Sequence, residues 1–262
     1  MNVGMNIFDG IPYGEQAELF EKYGITRTFI GSEIADFGAV VKTFRAHGVE
    51  VEGVHAPYSG INAMWGEEEE AAQKMLGRLK NSIDQCVAYG LQFSVVHLSS
   101  GRPMPPIHPK GEARYKELFD YAAEKGVTIA LENQRYKENL FYFLEKYEYP
   151  SFCWDCGHEY GVTGPVGFMD AFGHRLAALH IHDNRCGIDT DDHLLPFDGA
   201  IDFDEVARQI AQSGYTGTLM LEIGKCSAVE GKEVYASLTA EEYVARGAQA
   251  LKKLNAMVEA YR

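Results

Sequence analysis

Residues 128–184 contain three short apolar segments, each ending in residues that can bind a metal ion: TIALE at 128–132, FCWDCGH at 152–158 and LAALHIHDN at 176–184. Amphipathic stretches separate the three segments. Short continuous apolar runs are typical of strands buried on both faces of a parallel sheet. The segment therefore predicts strands that alternate with helices, as in an α/β protein.

The same alternation extends through the rest of the chain. Eight runs are predicted to form strands, at residues 2–8, 26–30, 49–55, 93–97, 128–132, 152–155, 176–182 and 218–223. Eight strands joined by helices in a chain of 262 residues favour a (β/α)8 TIM barrel. Because no Pro/Ser-rich linker interrupts the pattern, we expect one domain over residues 1–262.

Two helices are especially clear in the sequence. Apolar residues recur at helical spacing after an acidic run, at Ala72, Met75, Leu76, Leu79, Ile83, Cys86 and Val87. Near the end of the chain, Thr239 and Glu242 have the spacing of a capping box. The helix that they start is predicted to place Leu251, Leu254, Val258 and Tyr261 on one face.

Composition excludes several classes of protein. The chain has 24 Lys and Arg against 38 Asp and Glu, a net charge of −14, so we expect no nucleic-acid partner. No apolar run reaches the roughly 18 residues of a membrane helix, so no membrane association is expected. Five scattered cysteines and the lack of a visible secretory signal favour a reduced, cytoplasmic setting.

Titratable residues mark the ends of the last six predicted strands. These residues are His55, His97, Glu132, Asp155, His180 with His182, and Glu222, while His158, Asp191 and His193 lie in the following loops. A single histidine at a strand end is usually a hydrogen-bonded core residue. Six such ends at the face where barrels carry active sites are better explained by a shared ligand, since unpaired buried charge is costly. Carboxylate with imidazole suits Mn²⁺, Mg²⁺, Co²⁺ or Zn²⁺.

Several motifs give the sequence a family resemblance: ALEN at 130–133, DCGH at 155–158, HIHDN at 180–184, DHLLPFDGAIDF at 192–203 and GYTGTLMLE at 214–222. With these motifs the chain resembles the xylose-isomerase-like TIM-barrel superfamily. That group includes sugar and sugar-phosphate isomerases, epimerases, inosose dehydratases and type IV apurinic endonucleases.

The resemblance implies a set of site residues. Epimerase-type members hold one metal ion, which here implies Glu132, Asp155, His180 and Glu222 as ligands, with Mn²⁺ foremost and Zn²⁺, Co²⁺ or Mg²⁺ as alternatives. The two glutamates would also transfer protons as catalytic residues. The implied substrate-binding residues are His55, His97, His158, His182, Arg185, Asp191 and His193.

The implied activity is that of a sugar or polyol isomerase or epimerase, which removes a proton next to a carbonyl and forms an enediolate. The acidic loops after the seventh and eighth strands favour an unphosphorylated substrate. Three alternatives stay open: an inosose dehydratase-type lyase, an endonuclease IV-like apurinic DNA repair enzyme, and a noncatalytic barrel that binds metal or sugar. The endonucleases hold three zinc ions with nine ligands, and this chain contains all nine residue types. A homodimer or homotetramer is also expected.

Overall fold

Eight parallel strands form the centre of the molecule. The computed structural model describes residues 1–187 and 190–262. The strands are β1 (Asn2–Met5), β2 (Arg27–Gly31), β3 (Glu50–His55), β4 (Phe93–Val96), β5 (Thr128–Glu132), β6 (Ser151–Asp155), β7 (Leu176–His180) and β8 (Thr218–Leu221). They follow chain order from β1 to β7, and β8 pairs with β1. A parallel bridge between Ile181 and Leu221 closes the ring, which confirms the (β/α)8 TIM barrel.

Helices surround the strands. The longer ones are α1 (Tyr13–Lys22), α2 (Phe37–Ala46), α3 (Glu69–Tyr89), α4 (Pro109–Lys125), α5 (Glu138–Lys146), α8 (Phe203–Gln212) and α9 (Ala240–Ala260), and α6 (Cys156–His158) and α7 (Phe168–Phe172) are short. The predicted capping box is present: Thr239 and Glu242 each accept a hydrogen bond from the other's backbone amide at the start of α9. A two-stranded hairpin, β9 (Ala228–Val229) and β10 (Lys232–Glu233), follows β8.

Most of the apolar core lies between the strands and the helices, while a smaller group of side chains fills the barrel interior. The interior group contains Phe93, Val95, Ala130, Cys153 and Ala178, all buried. Gly53 leaves space for the Phe93 ring, since a Cβ atom at that position would come within 2.2 Å of it. The interior is therefore packed, and a ligand must bind above it, at the mouth.

The structure corrects some details of the sequence-based predictions. Strand β1 ends at Met5 and β7 ends at His180, so both are shorter than predicted. The spacing predicts Val87 and Tyr261 on apolar helix faces, but they are 51% and 43% exposed. Val87 lies beside the buried Cys86 in the last turn of α3 and points away from the core, and Tyr261 lies just beyond the end of α9. Within the described part of the chain, no helix is both long and apolar enough to cross a bilayer.

Candidate metal centre at the barrel mouth

Strands β5 to β8 bring four ligand-type side chains together. Glu132, Asp155 and His180 are the last residues of β5, β6 and β7, and Glu222 directly follows β8. Their ligand atoms all lie within 4.8 Å of one another. The strand repeat of two explains this placement, because Ala130, Cys153 and Ala178 lie two residues earlier in the first three strands and fill the interior below.

A second group shares a ligand with the first. His55 and His97 approach the same oxygen, with Nε2 at 3.3 Å and 2.8 Å from Glu132 Oε2. The other oxygen, Glu132 Oε1, is 3.2 Å from His180 Nδ1. Glu132 thus belongs to both groups of possible ligands.

A third group lies on the other side of Asp155. It consists of His158, His182, Asp191 and His193. Asp191 Oδ1 is 3.4 Å from His158 Nε2 and 3.2 Å from His193 Nε2. His182 Nε2 is 3.1 Å from Asp155 Oδ1, which links this group to the first.

Buried atoms without hydrogen bonds show that these residues fit a metal ion. Within the described residues, the buried atoms Glu132 Oε1, Asp155 Oδ2, His180 Nδ1, His182 Nε2 and Asp191 Oδ1 each lie within 3.5 Å of a carboxylate oxygen or a ring nitrogen, but none of them makes a hydrogen bond of suitable geometry. Leaving such groups unsatisfied costs free energy. Cations coordinated by these oxygen and nitrogen atoms would satisfy them together, and the mixed donor set suits Mn²⁺, Co²⁺ or Zn²⁺.

Backbone carbonyls fix the orientation of several histidines. The Nδ1 atoms of His55, His158 and His193 lie 2.9, 3.0 and 2.9 Å from the carbonyl oxygens of Ala56, Asn133 and Glu222. Because Nδ1 contacts a carbonyl in each ring, Nε2 is the nitrogen left for a ligand. This arrangement is common around protein metal sites.

Asn133 explains part of the ALEN motif. Its side-chain Oδ1 accepts a hydrogen bond of 2.7 Å from the Asp155 amide, and its Nδ2 donates one of 2.8 Å to the Asp155 carbonyl. Asp155 in turn accepts a bond of 2.6 Å from the His158 amide. The end of β5 therefore positions the end of β6 and the turn after it.

Electrostatics in the site reflect crowded charges. Burial alone raises the pKa of Glu132, but His97 and His180 outweigh it and hold that pKa well below its usual range. For His158 the directions are reversed: burial lowers the pKa of the imidazole, but the carboxylates of Asp155 and Asp191 outweigh burial and raise this pKa to about 10. The carboxylates therefore favour positive charge beside them, either protons on the histidines or metal cations.

The central cavity is small, about 120 Å³. Of the residues expected at the site, its lining includes His55, His97, Glu132, His158, Asp191, His193 and Glu222. Sequence reasoning missed four other lining residues: Tyr58, Ser100, Gln134 and Arg135. The sequence motifs could have indicated three of them, since Tyr58 is the last residue of VHAPY and Gln134 and Arg135 directly follow ALEN.

Arg185 and His182 occupy different surroundings. The Arg185 guanidinium is bound to Asp192, with Nε 2.9 Å from Oδ2 and an Nη atom 2.9 Å from Oδ1. His182 is fully buried, with its ring stacked 4.1 Å from that of His193. Among the described residues that line the central cavity, neither is present.

A parallel eight-stranded barrel with clustered carboxylates and histidines at the C-terminal mouth defines the class of this molecule. Family comparison makes it specific: the chain belongs to the xylose isomerase-like TIM barrel family, whose pattern matches residues 8–254.

Similar proteins extend the comparison. An uncharacterised protein of Sinorhizobium fredii is 33% identical over 161 residues, covering 55% of this chain and 51% of that protein, so the match spans about half of that relative. D-psicose 3-epimerase of Clostridium cellulolyticum has a TM-score of 0.78 at 15% identity, over 98% of this chain and 99% of that one. The IolI protein with a bound zinc atom has a TM-score of 0.74 at 16% identity, over 100% and 99%. At these identities the two structures show a shared fold.

Proposed function

We propose that this protein is a divalent-metal-dependent isomerase or epimerase of a keto-sugar or a related polyol ketone. The group of Glu132, Asp155, His180 and Glu222 carries the proposal. Three of these residues are at most 2% exposed, so the four side chains could hold a bound ion that is largely shielded from solvent. The likeness to a psicose epimerase supports a sugar as the substrate.

In this proposal Glu132, Asp155, His180 and Glu222 hold the ion. A bound divalent cation supplies a Lewis acid that polarises a substrate carbonyl. His55, His97 and His158 line the cavity and bind substrate oxygens. Their exchangeable ring protons suit hydroxyl groups.

The two glutamates differ in access to a substrate. Glu222 is 15% exposed at its side chain and lines the central cavity, so it is placed to take a proton from substrate carbon. Glu132 is 1% exposed and shares Oε2 with His97 and His55. Glu132 would exchange protons with that histidine pair, which gives the site a general acid and a general base.

Deuterium exchange tests the reaction. The Mn²⁺-loaded protein is incubated in deuterated water with a panel of ketohexoses, ketopentoses and inososes, and the substrates are analysed by NMR. We expect deuterium on the carbon beside the carbonyl, and the products identify isomerase, epimerase or dehydratase chemistry. Exchange with no member of the panel and with no glycoside of a ring-keto hexose, in protein with a full complement of metal, would contradict the proposal.

A second candidate is hydrolysis of a phosphodiester, such as incision of DNA at an abasic site. The observation that favours it is that further groups of ligand-type side chains lie beside the first, since endonuclease-type members of the family use three ions. The net charge of −14 argues against a DNA substrate, because binding to phosphates draws on Lys and Arg.

Metal counting separates the two candidates. Anomalous scattering from crystals grown with Mn²⁺ or Zn²⁺ gives the number and positions of the ions. One ion at Glu132, Asp155, His180 and Glu222 favours sugar chemistry. Three ions together with incision of abasic duplex at catalytic enzyme levels would favour the nuclease.

A further inference from the structure

Two larger cavities flank the central one and share residues with it. One, of about 450 Å³, shares Asp191, His193 and Glu222 with the central cavity. The other, of about 590 Å³, shares His55, Tyr58 and Glu222. The central cavity of about 120 Å³ is well below the roughly 300–1,000 Å³ typical of ligand pockets. A substrate that reacts beside Glu222 has room to extend to either side.

The two flanking cavities differ in chemistry. The 450 Å³ cavity has a mixed lining, in which polar Asn6, Asp9 and Lys225 lie beside apolar Ile7, Phe8 and Ile223. The 590 Å³ cavity, which we call the apolar cavity, has walls that include Phe29, Ile34, Ala56, Pro57 and Tyr58. An apolar wall beside a charged centre indicates that the two parts of a ligand differ in polarity.

Contacts to α3 hold both loops of the apolar cavity in place. Arg78 binds both carboxylate oxygens of Glu33, at 2.7 and 2.8 Å, and donates a bond of 2.9 Å to the Ser59 carbonyl. Gln85 Nε2 donates a bond of 2.8 Å to the Ser32 carbonyl. The loops after β2 and β3 are thus anchored to one helix, and the cavity exists before a ligand enters.

Tyr58 offers an aromatic surface where the central and apolar cavities meet. Its side chain is 52% exposed, although its ring stacks on that of His97 at a centroid distance of 5.0 Å and an angle of 23°. An exposed aromatic ring held by a buried neighbour can pack against an apolar group or a sugar face.

We propose that the substrate is a keto-sugar with an aryl or alkyl substituent, and that the substituent binds in the apolar cavity while the sugar ring occupies the central one. This inference rests on the proposed function for the reaction at the ring. A substituent on the anomeric oxygen blocks the carbonyl at that carbon. The reacting ketone would therefore lie within the ring of a glycoside.

A matched series of ligands tests whether an apolar substituent strengthens binding and turnover. Methyl, butyl and phenyl glycosides of one ring-keto hexose are compared with the Mn²⁺-loaded protein, by calorimetric Kd and by kcat/KM for solvent deuterium exchange. Since burial of apolar surface contributes roughly 25 cal/mol per Å², we expect the phenyl compound to exceed the methyl compound by about 10-fold to 100-fold.

Variants of residues in the apolar cavity test whether this cavity causes the preference for the phenyl compound over the methyl compound. Ile34→Asp places a charge in the apolar cavity and is expected to reduce the phenyl-to-methyl ratio to near one. Ile107→Asp makes the same change at an exposed loop residue and is expected to leave the ratio as in the wild type. Tyr58→Ala is expected to lower the ratio, and Tyr58→Phe to keep it, because the ring rather than the hydroxyl makes the contact.

The outcomes separate this inference from the proposed function. Equal Kd and kcat/KM values for methyl and phenyl compounds, with exchange present, overturn the inference and leave the reaction in place. A phenyl preference that Ile34→Asp removes, without exchange in any compound, supports the cavity assignment and contradicts the reaction. A preference unchanged in Ile34→Asp and Tyr58→Ala also overturns the inference.

Discussion

Two buried glutamates lie at opposite ends of the same barrel, and their surroundings differ. Glu52, near the start of the strands, accepts a hydrogen bond of 2.7 Å from Thr218 and has Arg27 Nε at 3.9 Å. Glu132, at the end of β5, has one oxygen without a hydrogen-bond partner and is surrounded by histidines. Both side chains are almost fully buried, at 8% and 1% exposure.

The difference separates stability from function. A buried polar group with its partners satisfied holds strands together. Buried polar groups that converge with some of their atoms lacking hydrogen bonds, as at the mouth, raise the free energy of the folded chain until a ligand binds. Paired substitutions at the two ends of the barrel test this distinction.

The largest expected effect is on turnover. Glu132→Gln keeps an oxygen donor and similar volume but removes the basic site, so turnover should fall by about 10²–10⁴-fold. Glu52→Gln should change turnover far less, because Glu52 is not among the described residues that line the central cavity. Both are measured as deuterium exchange into the preferred substrate. Full exchange in both Glu132→Gln and Glu222→Gln would assign proton transfer to other residues, with His158 as the next candidate.

Metal binding is expected to respond next. An ion that binds only the folded state stabilises it by about 2.7 kcal/mol at 100 times its Kd, so Mn²⁺ should raise the Tm of the wild type and a chelator should reverse it. Asp155→Asn should lose this shift, whereas Glu52→Gln should keep it. A wild-type protein whose Tm responds to no divalent ion would remove the basis of the site assignment.

The free energy of unfolding of the metal-free protein should depend on the other end of the barrel, where Glu52 lies. Glu52→Ala removes the acceptor for Thr218 and should lower the free energy of unfolding by about 1–3 kcal/mol, because a buried hydroxyl loses its partner. Denaturant titration of the metal-free protein measures it. The metal-induced rise in Tm should be the same as in the wild type, and a smaller rise would mean that the two ends are coupled.

The smallest effect is a pH dependence. Burial raises the pKa of Glu52 above its ordinary 4.5, and the bond from Thr218 offsets this only in part. Because the pKa of Glu52 is raised in the folded protein, its protonated carboxyl group favours the folded state. That contribution is fully present below pH 4.5 and is lost as pH rises through the raised pKa. Glu52→Gln cannot ionise, so its stability relative to the wild type should improve over the pH range that begins at 4.5 and extends upward, in metal-free denaturant titrations. A difference that is constant across that range would contradict this account.

Much of the fold could be predicted from local patterns. All eight strands appear within a few residues of their predicted positions, because continuous apolar runs such as TIALE have few alternatives to a buried parallel strand. The assignment of one domain to residues 1–262 stays a prediction.

Bulges limited what the sequence could show. The register between β2 and β3 shifts at Thr28–Phe29, with Thr28 opposite Val51 and Phe29 opposite Gly53, so Glu52 is an extra residue. A bulge re-aims a side chain, and strict alternation along β3 does not predict that Glu52 meets Thr218.

The site was predictable as a collection of residue types at strand ends, but its division into groups was not. His180 and His182 are two residues apart, yet His180 approaches Glu132 while His182 approaches Asp155. That separation depends on β7 ending at His180, which spacing alone does not reveal. The roles of all these residues in binding or catalysis stay predictions.

The bridge that closes the barrel lies within the site. The Ile181 amide donates to the Met220 carbonyl at 2.9 Å, and the Ile181 carbonyl accepts from the Glu222 amide at 3.0 Å. An ion held by His180 and Glu222 would connect the ends of β7 and β8 and so stabilise the closure of the barrel. Amide hydrogen exchange at Ile181 and Glu222 would then slow on metal binding more than exchange elsewhere in the strands, so that occupancy of the site sets how often the barrel opens.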